Sequence, residues 1–258
     1  MPVSVASVNL QNTPERDGFY AWFLSCGMNS TFAPVSPRKP RVSLWVALAF
    51  ILALIAWWEL ATPRTSAPVT PQAAALAQPA GSEVAVLAGG CFWCTEADFD
   101  KLPGVLSTTS GYTGGKTANP TYAEVSSHAT GHAEAVRVVF DPKQVSYAQL
   151  LAHYWKTIDP TVKDRQFCDM GTPYRTAIFA ATPEQLQLAK DSLAALVQSK
   201  PFAEPVVTQI VMLDDFYPAE AEHQNYHQNN PVRYNYYRTS CGRDARLKQL
   251  WGTQAAVQ

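Results

Sequence analysis

Cysteine is scarce: Cys26, Cys91, Cys94, Cys168 and Cys241 are the five in 258 residues. That number is too small for a disulfide scaffold at this size, and being odd it leaves at least one thiol without an intrachain partner. No charge of either sign accumulates; the formal balance of −1 creates no field that would draw in nucleic acid. No internal repeat is visible. A zinc site lacks a second ligand pair, since Cys168 and Cys241 stand alone and the pairs His128/His132 and His223/His227 lack the Glu of an HExxH frame, so no metal is expected. Haem attachment is excluded because Thr95, not histidine, follows Cys94.

Charge is also missing from the seventeen residues Val42 to Trp58, and Leu60 and Ala61 extend this apolar run past Glu59. Its length is near the lower limit for crossing a bilayer, and Trp45 and Trp57-Trp58 suit the two interfaces. The expectation is a transmembrane signal anchor at 42–61. Arg38, Lys39 and Arg41 adjoin its start, whereas Glu59 and Arg64 cancel beyond it. The positive-inside rule then leaves a disordered, proline-interrupted segment 1–41 in the cytoplasm. It places the rest on the extracytoplasmic (periplasmic) side of a single-pass cell-membrane protein. Ala75-Leu76-Ala77 lies too far past the apolar core to favour signal-peptide cleavage. Residues 62–82, rich in Pro, Ala, Thr and Gln, read as a tether.

From Glu83 to Gly252 strands and helices alternate. Strands are expected at Val84–Ala88, Val105–Ser110, Ala135–Phe140, Thr176–Ala180 and Val206–Leu213. Helices are expected at Phe92–Lys101, Ser146–Thr157, Pro183–Lys200 and Ala219–Asn229. Ser146 with Gln149 forms a capping-box pattern, and Thr182-Pro183-Glu184 supplies an N-cap, a proline at N1 and an acidic first turn. This mixture implies one sheet with covering helices, an α/β or α+β sandwich.

The chemistry concentrates at Val84–Phe99. A buried strand ends in Gly89-Gly90, and Cys91 opens the following helix, where the positive end of the helix dipole favours a thiolate. Cys94 is either a second redox thiol or a small buried hydrophobe. Phe92 and Trp93 are bulky for a thioredoxin-like pair, although a CxxC thiol-disulfide oxidoreductase is the alternative activity. Glu134 starts a strand of otherwise apolar residues, either facing solvent or held near neutral by desolvation. Asp169 and Tyr174 fall in a loop ahead of a strand. The aromatic run His223 to Arg238 reads as packing; its basic charge is too sparse for RNA stacking.

Seven motifs occur in order: GGCFWCTEADF from Gly89, PGV at Pro103–Val105, SGYTGG at Ser110–Gly115, NPTYAEV at Asn119–Val125, GHAEAV at Gly131–Val136, GTPYR at Gly171–Arg175 and AEHQNY ending at Tyr226. Together they resemble the type A peptide methionine sulfoxide reductases, which act on the S epimer of methionine sulfoxide. The resemblance spans essentially Glu83 to Gly252. It implies a catalytic domain at 83–252 with a tail at 253–258. The fold expected is α+β, a ferredoxin-like α/β sandwich with a mixed sheet and covering helices, preceded by a single transmembrane helix. By resemblance Cys91 is the nucleophile, Glu134 the proton donor, and Tyr122 and Tyr174 the hydroxyls that bind the sulfoxide oxygen. Asp169 is the supporting carboxylate, and Phe92 and Trp93 wall the methyl group. The expected cycle passes through a sulfenic acid and a disulfide, recycled by an external thioredoxin-like dithiol with no bound cofactor. Cys241 is the first choice as resolving residue, with Cys94 the alternative and Cys168 less favoured. The expected partners are oxidised proteins or peptides, the reductant and, through 42–61, the membrane; the chain is expected to be a monomer.

Overall fold

The computed structural model describes residues 51–52 and 76–256. The chain divides into units 1–65 and 66–258, and the architecture below belongs to the second.

Strand β1 (Glu83–Gly89) leads into helix α1 (Phe92–Phe99), and β2 (Val105–Thr113) follows. After the short helix α2 (Tyr122–Ser126), β3 (Ala133–Phe140) returns between β1 and β2, antiparallel to both. Helix α3 (Tyr147–Thr157) precedes a small hairpin, β4 (Arg165–Gln166) and β5 (Asp169–Met170), and then β6 (Thr176–Ala180) pairs antiparallel with β1. Helix α4 (Pro183–Ser199) carries the chain to β7 (Gln209–Met212), which is parallel to β6. Strand β8 (Phe216–Pro218) closes the other edge on β2. Helices α5 (Tyr226–Asn229), α6 (Pro231–Ser240) and α7 (Arg243–Trp251) finish the unit. The large sheet therefore runs β7-β6-β1-β3-β2-β8. Its inner strands with α1 and α3 follow the β-α-β-β-α-β order.

Position in the sheet explains the strand sequences. All of β3 is buried, so its apolar residues do not alternate with exposed ones, and Glu134 and Arg137 are buried among them. Leu87, Val136 and Val138 from the sheet pack with Leu150, Leu151 and Tyr154 from α3 in the main core. Local signals fix the helix starts. Ser146 and Gln149 make both hydrogen bonds of a capping box on α3, and the Thr182 hydroxyl accepts from the Gln185 amide on α4. Thr121 and Glu124 form a second full capping box, on α2, which the sequence reading passed over. Residues 219–229, expected as one helix, instead hold a 3-10 turn at Ala221–His223 and the single turn α5, separated by Asn225 in the left-handed region. That conformation cannot continue a right-handed helix.

One expectation is overturned. Among the described residues no helix is long and apolar enough to cross a membrane. The longest helix expected in this unit, α4, has 17 residues and carries Glu184, Lys190 and Asp191. Of the expected anchor 42–61, only Ile51 and Leu52 are described; the remainder, with segment 1–41 and linker residues 62–75, lies outside the described residues. The single-pass placement, the membrane contact through 42–61 and the periplasmic location all depended on that helix and fall with it.

Leu150 is fully buried in the main core, whereas Val197 is 52% exposed. Leu150→Ala is expected to cost about 2–5 kcal/mol in urea unfolding at unchanged m, and Val197→Ala under about 0.5 kcal/mol.

Candidate active site

Strand β1, inside the sheet between β6 and β3, ends at Gly89, and the turn that follows leaves no room for side chains. Gly90 adopts φ +87°, and a Cβ at that position would come within 2.5 Å of Gln166 Cβ. Cys91 follows as the N-cap of α1 with non-helical φ −51° and ψ 120°, and its side chain makes no capping hydrogen bond. The thiol is thus placed at a helix start without being spent on the helix. It is 6% exposed. The expected thiolate-favouring helix dipole is in place, yet the environment opposes it. Burial, then the Cys94 sulfur, then the Glu134 and Asp169 carboxyls push the Cys91 thiol well up from its ordinary value.

Glu134 is 2% exposed on β3, so the desolvated reading of this carboxyl holds. The Phe92 amide donates to its Oε2 at 2.9 Å. Burial pushes Glu134 up to about 8, against that hydrogen bond and with help from the Asp169 charge. It is therefore protonated at neutral pH. Tyr122 on α2 and Tyr174 on the turn before β6 are also pushed up, by burial and then by Glu134. Asp169 on β5 accepts from the Tyr237 hydroxyl at 2.5 Å and is pushed up by burial. Five separate segments thus bring Cys91, Glu134, Tyr122, Tyr174 and Asp169 within electrostatic reach of one another.

Phe92 is buried, with its ring 6.4 Å from Tyr122 and 5.3 Å from His223. Trp93 is half-buried and stacks on Tyr226 at 3.8 Å with 8° between the planes. Its indole Nε1 donates to His223 Nδ1 at 3.3 Å. Burial pushes His223 down, which favours the neutral ring, and a neutral ring has one nitrogen able to accept such a bond. A cavity of 340 Å³ opens beside Trp93, lined also by Arg233, Tyr236, Tyr237, Cys168 and Cys241.

The remaining cysteines are sorted sharply. Cys241 is bonded to Cys168, with Cα atoms 5.0 Å apart and 73 residues between them, while Cys91 and Cys94 are free and buried. Cys168, Cys241 and Asp169 place donor atoms within 4.8 Å of one another. With the two sulfurs joined, the thiolates a metal would need are already used.

Several residues that position the site escaped the sequence reading. Glu220 accepts from the Tyr122 amide at 2.7 Å and the Tyr112 hydroxyl at 2.8 Å. Arg243, 2% exposed, donates to the Gly89 and Thr157 carbonyls and pairs with Asp98, bracing the Gly89-Gly90 turn from behind. Arg238 pairs with Asp98 at 2.9 Å and with Asp244 at 2.7 Å. The signal was present as the aromatic and basic run His223 to Arg238, whose packing role was read without its target.

The family model described as peptide methionine sulfoxide reductase matches residues 83–255. The peptide methionine sulfoxide reductase MsrA of Bacillus licheniformis is 51% identical over 170 residues, covering 66% of this chain and 94% of that protein. MsrA of Bacillus subtilis is 46% identical over 172 residues, covering 67% and 97%. Among solved structures, methionine sulfoxide reductase A of Corynebacterium diphtheriae aligns with a TM-score of 0.55 at 35% identity, covering 63% of this chain and 82% of that one. The reduced form of Mxr1 from Saccharomyces cerevisiae gives 0.56 at 30% identity, covering 60% and 88%. With the match extending over most of the chain and nearly all of these relatives, the chain belongs to the peptide methionine sulfoxide reductase family, oxidoreductases that reduce methionine sulfoxide.

Proposed function

We propose that residues 83–252 form a catalytic domain that reduces the S epimer of methionine sulfoxide in oxidised proteins or peptides, with Cys91 as nucleophile. One observation carries the reading: a free, uncapped thiol at a helix start next to a buried carboxyl that is protonated at neutral pH. A sulfoxide oxygen is a weak leaving group until it is protonated. Glu134 supplies that proton, and the Tyr122 and Tyr174 hydroxyls hold the oxygen while Cys91 attacks the sulfur. Asp169, held by the Tyr237 hydroxyl, is the supporting carboxylate beside Cys91. Phe92 and Trp93 receive the methyl group, the Trp93 ring being fixed by its stack on Tyr226.

The oxygen moves to Cys91, giving methionine and a sulfenic acid. A second thiol condenses with that acid and releases water. Each turnover therefore consumes two thiols, and a dithiol of the thioredoxin type restores them; no bound cofactor enters. General exchange with protein disulfides is less suited to this geometry, because both free thiols are buried and a protein disulfide must reach the sulfur directly.

Three outcomes test the reading on the full chain with a dithiol as reductant. Product should form from the S epimer of a sulfoxide peptide and not from the R epimer, and Cys91→Ser should abolish it; full activity in that variant would overturn the assignment. Glu134→Gln should lower kcat by about 100-fold. Because the acid must hold its proton, the wild-type rate should fall as pH rises through about 8, and the variant should lose that limb. Trp93→Ala should raise KM by roughly tenfold, as expected for an apolar wall removed from a methyl site.

A further inference from the structure

Among the described residues the free thiols are Cys91 and Cys94, both at the start of α1. Cys91 is the N-cap of α1 and Cys94 the third helical residue, whose amide donates to the Cys91 carbonyl at 3.1 Å. In a capping box it is the side chains at these two positions that reach across to each other's backbone. Sulfur at both positions puts two free, buried thiols at one helix entry, three residues apart across its first turn. Cys91 lies just outside the helical conformation, so a bridge to Cys94 need not close inside a regular helical turn. Cys241, the other contender, has its sulfur bonded to Cys168.

Charge divides the pair. The carboxyls of Glu134 and Asp169 act on Cys91. On the Cys94 side stand Arg238 from α6 and Arg243 from α7, with Asp98 from α1 and the Tyr234 hydroxyl between them. Asp98 binds Arg238 Nη1 at 2.9 Å and Arg243 Nη2 at 3.2 Å, so both guanidinium groups are held in place behind the thiol. The neighbouring Cys91 thiol, and then the two arginines, draw the Cys94 thiol down against its burial.

Resting on the reduction chemistry proposed above, we propose that Cys94 is the thiol that resolves the Cys91 sulfenic acid, and that Arg238 and Arg243, clamped by Asp98, are the positioning residues that make it the nucleophile of this step. The Cys94 sulfur attacks the Cys91 sulfur, an S–S bond forms, and the S–OH bond breaks. The proton released by Cys94 leaves with the hydroxide as water. The Cys91 sulfur is reduced and the Cys94 sulfur oxidised by one electron each, so the step needs no other reactant. The Cys168–Cys241 bridge joins the same hairpin and the same end of α6 as the Tyr237–Asp169 hydrogen bond, and it does not take part in this condensation.

The test is a single turnover of the full chain, as isolated, with a methionine-S-sulfoxide peptide and no reductant, followed by alkylation, digestion and mass mapping. The expected product is a new Cys91–Cys94 linkage, formed also in the Cys168→Ser/Cys241→Ser double variant. In Cys94→Ser, Cys91 should persist as a sulfenic acid that dimedone captures. Arg238→Met should slow formation of the linkage by about tenfold, and Arg238→Lys should recover most of that rate. A linkage from Cys91 to Cys168 or Cys241, or rapid loss of the sulfenic acid in Cys94→Ser, would overturn the inference while leaving the reduction chemistry intact. Absence of methionine from the wild-type first turnover would instead overturn the reduction chemistry itself.

Discussion

A helix start leaves amide groups without partners, and Cys91 at the N-cap of α1 offers no side-chain oxygen to satisfy them. The Glu134 carboxyl supplies the acceptor from another element, taking the Phe92 amide at 2.9 Å. This one bond joins the central strand β3 to the entry of α1 and fixes the distance between an acid and a thiol. A serine or aspartate at the N-cap would accept from the second or third helical amide and leave the first, that of Phe92, to Glu134. The acid is therefore tied to the helix entry at a position that no local cap reaches.

Burying the carboxyl has consequences for everything around it. Its proton is retained at neutral pH because desolvation outweighs the amide hydrogen bond. Tyr122, Tyr174 and Asp169 then face a neutral acid instead of a carboxylate, which makes it tolerable to gather so many acidic groups in one place. The countercharge lies on the other flank, where Asp98 binds two buried arginines. A buried pair of this kind contributes little net stability but fixes geometry, because removing one member strands the others. Arg243 illustrates the point: its guanidinium reaches the Gly89 carbonyl and the Thr157 carbonyl while stacking over Phe167, so the turn before Cys91 is held by the C-terminal helix.

The parts legible in the sequence were those encoded over short distances. The strand ahead of Cys91, the capping residues Ser146 and Thr182 and the glycine pair all announce themselves within a few residues, and the ordered motifs placed Cys91 and Glu134 together. What could not be read depends on pairs far apart along the chain. Cys168 and Cys241 are separated by 73 residues, and nothing local in either marks the other. Helix α6 buries Tyr234 and Arg238 instead of an apolar stripe, and α7 buries Arg243 beside Leu247, Leu250 and Trp251, so neither arginine announces its partner locally. The apolar run at 42–58 misled in the opposite way: composition proposed a membrane helix from length and flanking charge alone.

Burial also bears on what can react here. Cys91 is 6% exposed and Cys94 2%, so a partner must enter as a slender group and cannot dock a backbone against the sulfur. A methionine side chain is unbranched and flexible and fits such an approach. Its sulfoxide adds a single polar oxygen, and the groups gathered around Cys91 are hydroxyls and a neutral acid, the types that bind and protonate one oxygen. The free thiols Cys91 and Cys94 are enclosed, whereas the Cys168–Cys241 bridge borders a cavity beside Trp93. The fold therefore separates a buried thiol pair from a disulfide at the surface. Trp93 borders both, since it packs on the cluster that holds Cys94 and lines the cavity, and its ring is fixed by the stack on Tyr226 and the hydrogen bond to His223.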